Sequence, residues 1–334
     1  MTLGMATAGR GDGAGIRAGV QAEREAEGGE GKRARDVILF HMQWDGRGFR
    51  EEGGDWSQQG PHRGGKENAV GTTVRRAGMN FVRARASDVS LPMSSDFEEL
   101  DFRPTPMGDL LLRRRRVLSL GGVEVFEVKL GEAYLMSSLF HDVEVALADL
   151  GLAQLEAGEW DVVVGGLGLG YTAMAALAHP TVRSMIVVDA LEAVIDWHRR
   201  GLVPLGPKLM ADARCRFVLS DFFALAKSGP GFDSTQPNRQ FHAVLLDIDH
   251  SPRNLLHSRH GSFYDADGLR ALATHLHPGG VFAMWSDAPA DDDFTRALEK
   301  VFPAVTTQIV TFENPILDCE SASVVYVARK ASAP

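Results

Sequence analysis

Cysteine is scarce in this 334-residue chain, with only Cys215 and Cys319, far apart in sequence. There is no Cys-x-x-Cys pair and no Cys/His spacing typical of metal ligands, so we expect neither a zinc site nor a disulfide framework. A surplus of positive charge is missing too, since the formal net charge is −9. This argues against nucleic acid or an anionic membrane as the partner of the whole chain.

Long apolar runs are also absent. No run is long enough to cross a bilayer. The N-terminus is rich in Gly and Glu and lacks the apolar core of an export signal, so we expect a cytoplasmic location. The hydrophobic share of 44% is ordinary for a globular protein and sufficient for a sizeable core. The length allows one large domain or two ordinary ones.

Residues 1–92 differ in composition from the rest of the chain. They hold 18 of the 36 glycines, charges of both signs, and one short apolar run, Val37 to Phe40. Such a segment cannot bury enough apolar surface to offset its ordering entropy, so we expect a disordered extension. A regulatory tail is the alternative, and Met79 and Met93 are further candidate start positions.

Residues 97–132 are predicted to form a small β-strand domain, and residues 133–330 a Rossmann-like nucleoside-binding catalytic domain. In the first of these, a strand from Leu110 to Leu120, a Gly121-Gly122 turn and an alternating strand indicate a hairpin. The run Arg113 to Arg116 is interpreted as an edge strand whose charges block mispairing, with an anion site as the alternative.

The most informative stretch is DVVVGGLGLGYTAMAA, residues 161–176. Its run of three valines predicts a strand buried on both faces, and hence a parallel sheet covered by helices. The turn that follows brings backbone close to a ligand at a helix N-terminus. It holds four glycines: Gly165, Gly166, Gly168 and Gly170. Their spacing is not that of dinucleotide folds and suits a nucleoside loop of the S-adenosylmethionine type, while a purely structural turn is the alternative.

Acidic residues follow the next predicted strands. Asp189 is placed to accept hydrogen bonds from ribose hydroxyls, with a helix cap as the alternative. Asp221 is placed to accept from an adenine amino group, and Phe222 to stack on the ring. For these two residues the alternative is a helix cap and a core aromatic side chain.

A polar cluster, Asp247-Ile-Asp249-His250, follows the fourth predicted strand. Ligands of open parallel sheets collect at the carboxyl ends of the strands, so this cluster is a candidate for deprotonating a nucleophile or holding a cation. A metal site that adds His257 and His260 is an alternative, but no familiar metal-ligand spacing is present. A capped turn with solvated acids is the structural alternative.

These residues resemble the spermidine synthase family, the polyamine aminopropyltransferases, within the class I S-adenosylmethionine-dependent methyltransferase superfamily. The resemblance covers about residues 100–329. It implies a mostly parallel seven-stranded sheet with a C-terminal antiparallel hairpin, preceded by a small β-hairpin domain. It implies Asp247 as the catalytic acid and the glycine turn, Asp189 and Asp221 as the nucleoside site. On the substrate side are Tyr134, Asp249, His250 and Tyr264.

The resemblance further implies decarboxylated S-adenosylmethionine as co-substrate, a small-molecule amine as acceptor, no metal, and a homodimer. This chain departs from the family at the positions that would hold the amines of the donor and the acceptor. Leu169 stands where the glycine turn usually holds an Asp, and Leu135 and Met136 follow Tyr134 in place of Gln and Glu. Two alternatives therefore stay open: a small-molecule methyltransferase that uses S-adenosylmethionine, and a non-catalytic nucleoside-binding protein.

Overall fold

A computed structural model describes residues 96–131 and 133–333, which contain two β-sheets and seven α-helices. The disorder expected for residues 1–92 lies outside the described residues. The helices are α1 (Asp142–Leu152), α2 (Tyr171–Ala178), α3 (Glu192–Arg200), α4 (Gly206–Ala211), α5 (Phe222–Lys227), α6 (Ala266–Thr274) and α7 (Asp292–Glu299). In this part of the chain no helix is both long and apolar enough to cross a membrane.

The first sheet is antiparallel and has the strand order β1-β2-β3-β4. The strands are β1 (Phe97–Thr105), β2 (Gly108–Val117), β3 (Val123–Leu130) and β4 (Ala133–Ser137). The hairpin expected around Gly121-Gly122 is the connection between β2 and β3. The sheet also includes β4, which the sequence analysis assigned to the following domain.

The arginine run lies in an interior strand, not in the edge strand that the sequence indicated, because β2 pairs with both β1 and β3. The guanidinium groups of Arg113 and Arg115 lie 2.5 and 2.6 Å from the carboxylate of Glu127 on β3. The Glu127 side chain is only 1% exposed. A buried carboxylate is tolerated when it is paired, and the two arginines neutralise this one.

The second sheet has seven strands in the order β10-β11-β9-β8-β5-β6-β7. The five strands from β9 to β7 are parallel, while β11 and β10 form an antiparallel hairpin at one edge. This arrangement confirms the fold class expected from the sequence. The strands are β5 (Trp160–Gly165), β6 (Val182–Asp189), β7 (Cys215–Leu219), β8 (Phe241–Leu246), β9 (Leu276–Ser286), β10 (Ala304–Asn314) and β11 (Cys319–Arg329).

The valine run of β5 is buried because the sheet is covered on both faces. Val162 and Val164 pack into one hydrophobic cluster and Val163 into the other, and all three are fully buried. Successive side chains of a strand point to opposite faces, so an unbroken apolar run requires a core on each side. Helices α1 to α4 contribute to the first cluster and α5 to α7 to the second.

Candidate active site

The glycine turn lies between β5 and α2, at the carboxyl edge of the parallel sheet. Gly166 has φ of +92°, and a Cβ there would lie 2.0 Å from the carbonyl oxygen of Asp247. The amide of Asp247 donates to the carbonyl of Gly165 at 2.8 Å. Only glycine permits both the dihedral angle and this approach, so the turn is locked against the end of β8.

Asp189, the last residue of β6, is held against the same turn. Its carboxylate accepts hydrogen bonds from the amides of Leu167 at 2.9 Å and Leu191 at 2.8 Å. Burial raises the pKa of Asp189, and the backbone donors partly offset this effect. Each carboxylate oxygen has a second lone pair, so the residue can hold the turn and still accept a hydrogen bond from a ligand.

Asp221 lies beside Asp189, because the amide of Ser220 donates to the Asp189 carbonyl at 3.0 Å. Asp221 is exposed and is the N-cap of α5, where its carboxylate accepts from the amide of Ala224 at 3.1 Å. The tips that follow β5, β6, β7 and β8 are therefore neighbours along one edge, as the sequence predicted.

Phe222 does not lie on this edge as a stacking platform. It is 2% exposed and belongs to the core cluster that contains Phe223 and Phe263. A Cβ on Gly165 would lie 2.6 Å from its ring, so the ring packs directly beneath the end of β5. The stacking role expected from the sequence is corrected here, because the first turn of α5 directs this side chain into the core.

Asp247 follows β8, and its backbone amide contacts the glycine turn at Gly165. The hydroxyl of Thr172, at the start of α2, donates to its Oδ2 at 2.7 Å. Burial raises the pKa of Asp247 to about 6, against the lowering effect of this hydrogen bond. A carboxylate with that pKa is mostly ionised at neutral pH. Its pKa is also close enough to neutral pH for the group to accept and release protons readily.

A second carboxylate, Glu144 in the first turn of α1, lies close enough to Asp247 to interact with it electrostatically. Burial first, and then the negative charge of Asp247, raise the pKa of Glu144 to about 8. The sequence analysis missed Glu144, because only the packing of α1 against α2 and β8 brings it to the site. It also missed Thr172, for which a signal exists: it is the hydroxyl residue directly after the glycine turn in a helix of small apolar residues.

His198 on α3 is a third residue at the candidate site that the sequence analysis missed. It is 1% exposed, and its Nε2 lies 2.9 Å from the carbonyl oxygen of Gly168. A carbonyl can only accept, so this nitrogen carries the hydrogen and donates. Burial lowers the pKa of His198, which keeps the imidazole neutral as it holds the glycine turn.

Asp249 and Tyr264 are not free to bind a substrate, contrary to expectation. The Asp249 carboxylate is fully buried and accepts from the Tyr264 hydroxyl at 2.8 Å and the Leu256 amide at 2.7 Å. The Nδ1 of His260 lies 2.9 Å from the same carboxylate, and its ring stacks on Phe223 at 4.0 Å. These hydrogen bonds hold the loop after β8 in place, so Asp249 and Tyr264 stabilise this loop.

The other two expected substrate residues also have protein partners. His250 lies with its Nδ1 3.2 Å from the carboxylate of Asp287, whose hydrogen bond and charge raise the pKa of the histidine. Tyr134 is half-buried, and burial followed by its hydrogen bond with Glu127 raises its pKa. The phenol of Tyr134 is therefore directed into the first sheet and bound to Glu127.

Two of the residues that differ from the family where the amines would bind, Leu169 and Met136, have clear positions in the structure. The side chain of Leu169 is fully buried in the core. The sulfur of Met136 lies 3.1 Å from the amide nitrogen of Leu169, and a Cβ on Gly168 would come within 2.5 Å of that sulfur. Met136 thus lies directly over the glycine turn.

Among residues 96–131 and 133–333 there is no group of three or more His, Cys, Asp or Glu side chains arranged to hold a metal ion.

The parallel sheet, its glycine turn and the acidic strand ends define a Rossmann-like protein of the class I methyltransferase fold. Among solved structures, spermidine synthase from Thermotoga maritima matches with a TM-score of 0.55 and 16% identity, over 71% of this chain and 74% of that one. A spermidine synthase in complex with the transition-state analogue AdoDATO matches with a TM-score of 0.54 and 16% identity, over 71% of this chain and 73% of that one.

Sequence comparison leads to the same family. Polyamine aminopropyltransferase 2 of Pseudomonas aeruginosa is 25% identical in an alignment 233 residues long, which covers 63% of this chain and 61% of that protein. The chain thus spans about three fifths of the length of this relative. No protein-family model matches the chain. The similarity to the spermidine synthase family that the sequence predicts is confirmed.

Proposed function

We propose that this protein is a spermidine synthase-like transferase, which moves an aminopropyl group from decarboxylated S-adenosylmethionine to a small-molecule amine. One observation carries the proposal: the glycine turn is hydrogen-bonded to both Asp189 and Asp247. A nucleoside site and a candidate base are thus parts of one rigid unit. The relative named as a polyamine aminopropyltransferase supports the same activity.

Asp189 would accept from the ribose hydroxyls and Asp221 from the adenine amino group, while the backbone of Gly165 to Gly170 follows the nucleoside. The donor carries a sulfonium, which is already an activated electrophile, so the protein must place the amine in line with the transferred carbon. The reaction forms a C–N bond and breaks the C–S bond, and the electron pair stays on sulfur in methylthioadenosine.

Asp247 would act as the base in this step. The attacking nitrogen must lose a proton, either before attack or as the new ammonium forms, and the carboxylate accepts it before passing it to water. A carboxylate with a pKa of about 6 is a stronger base than an ordinary aspartate and is still ionised at pH 7. We further propose that the protein works in the cytoplasm as a homodimer.

The test is incubation of the protein with each donor and a mixture of polyamines, followed by mass analysis. Methylthioadenosine is the expected product, from decarboxylated S-adenosylmethionine only. In Asp247→Asn we expect its release to fall by about two to four orders of magnitude, with methylthioadenosine affinity unchanged. Glu299→Gln, a change at an exposed acid at the end of α7, is the control and should equal the unmodified protein. Unchanged turnover in Asp247→Asn would reject Asp247 as the base.

A small-molecule methyltransferase is the second candidate, and one observation favours it. The glycine turn offers no carboxylate to an aminopropyl group, because Leu169 takes that position and is buried. Formation of S-adenosylhomocysteine from S-adenosylmethionine in the same incubation would establish this activity. Tight nucleoside binding without either product would establish a non-catalytic binding protein.

A further inference from the structure

Glu144 occupies a place that the expected chemistry leaves unassigned. It lies in the first turn of α1, and this helix packs against α2 and β8, the two elements that position Thr172 and Asp247. Its carboxyl group interacts electrostatically with Asp247 and with the phenol of Tyr171 at the start of α2. The ring of Tyr171 stacks on His141, the N-cap residue of α1, at 4.4 Å. The packing of α1 and these electrostatic interactions place the Glu144 carboxyl group within electrostatic reach of the candidate base.

The glycine turn itself offers no charged or polar side chain to a cation. Between Gly165 and Gly170 the only side chains larger than hydrogen are Leu167 and Leu169, which are 4% and 0% exposed. A cationic group brought to Asp247 by an adenosyl ligand would therefore find its second carboxylate on α1.

Two carboxylates that are close together and partly shielded from water repel each other, which favours the protonated form of one of them. A primary ammonium group relieves that repulsion, because it brings one positive charge and three N–H donors. Asp142, two residues before Glu144 in the same first turn of α1, adds to the negative potential. The negative charge of the site therefore attracts a cation and repels a further carboxylate.

We propose that Glu144 and Asp247 together form the ammonium-binding site of this protein, with Glu144 supplying the carboxylate that the glycine turn lacks. The inference rests on the proposed function, in which Asp247 is the base. The ammonium is either the aminopropyl end of the donor or an amine of the acceptor. In the donor case, intact S-adenosylmethionine places an α-carboxylate beside two acids, so the pair selects the decarboxylated donor.

The test compares ligands with and without the ammonium, in the unmodified protein, in Glu144→Gln and in the control Glu299→Gln. Calorimetry gives the Kd of methylthioadenosine, which has no amine, and of decarboxylated S-adenosylmethionine. Steady-state assays give the KM of the acceptor. In Glu144→Gln we expect the Kd of methylthioadenosine to change less than twofold. We expect either the donor Kd or the acceptor KM to rise by about 10- to 100-fold, and whichever rises identifies the ammonium.

Glu144→Asp keeps the charge and should recover part of the affinity lost in Glu144→Gln, which a purely structural role would not predict. The role of Glu144 is overturned if Glu144→Gln retains the donor Kd and the acceptor KM in an otherwise active protein. It is also overturned if methylthioadenosine binding weakens equally, or if Glu144→Gln does not fold and Glu144→Asp weakens the binding of methylthioadenosine as much as that of the donor and the acceptor. Unmodified protein that releases no methylthioadenosine would instead refute the proposed function, and this inference with it.

Discussion

The Glu144–Asp247 pair should make the stability of the empty protein depend on pH. The pKa of Glu144 is raised from its ordinary 4.5 to about 8, and that of Asp247 from 3.8 to about 6. A carboxyl group with a raised pKa binds its proton more tightly in the folded than in the unfolded state. Its contribution to the free energy of unfolding is therefore complete below pH 4 and is lost as the pH rises towards 8.

The magnitude follows from the rise in pKa. One pKa unit corresponds to about 1.4 kcal/mol, so the rise at Glu144 sets an upper bound of about 5 kcal/mol. The side chain is partly exposed and water and side-chain movement relax the repulsion, so we expect a loss on the order of 1 to 2 kcal/mol between pH 5 and 8. Glu144→Gln cannot ionise, and it also removes the like charge beside Asp247, so its stability should fall less over this range.

The assay is urea unfolding at pH 5, 6, 7 and 8 for the unmodified protein, Glu144→Gln and Glu299→Gln. The difference in free energy of unfolding between the unmodified protein and Glu144→Gln is the quantity to follow, because carboxylates outside this pair contribute equally to both. We expect Glu144→Gln to gain about 1 to 2 kcal/mol relative to the unmodified protein from pH 5 to pH 8. A difference that stays constant across this range, or that matches the Glu299→Gln control, would show that the two carboxylates do not interact.

Two further predictions concern the elements that hold the site together. Gly166→Ala should cost at least about 2 to 3 kcal/mol in urea unfolding and abolish methylthioadenosine binding in calorimetry, because φ is +92° and the new Cβ would meet the Asp247 carbonyl at 2.0 Å. Wild-type nucleoside affinity in this variant would refute the close approach. Asp249→Asn should cost about 2 to 4 kcal/mol in the same unfolding assay, since it weakens a buried carboxylate that accepts from Tyr264, His260 and the Leu256 amide. A stability loss below about 0.5 kcal/mol would contradict that network.

The part of the site that we propose to bind the nucleoside could be predicted from the amino-acid sequence. An unbroken valine run, Val162 to Val164, implies burial on both faces and therefore a parallel sheet. The carboxyl ends of parallel strands share one edge, so a glycine turn after β5 and acids after β6 and β8 must be neighbours. Local pattern and one rule of sheet geometry were sufficient for Asp189 and Asp247.

The proposed ammonium site depends on tertiary structure alone. Glu144 comes near Asp247 only because α1 packs on α2 and on the distant strand β8, and no local periodicity encodes that packing. Packing also places Phe222 in the core, and the Asp249 carboxylate accepts a hydrogen bond from Tyr264. The sequence had predicted ligand-binding roles for Phe222 and Asp249. Sequence placed the backbone of the site, because strand ends follow from periodicity. Packing chose which side chains face it, because that choice depends on distant partners and on which polar groups burial leaves without a bond.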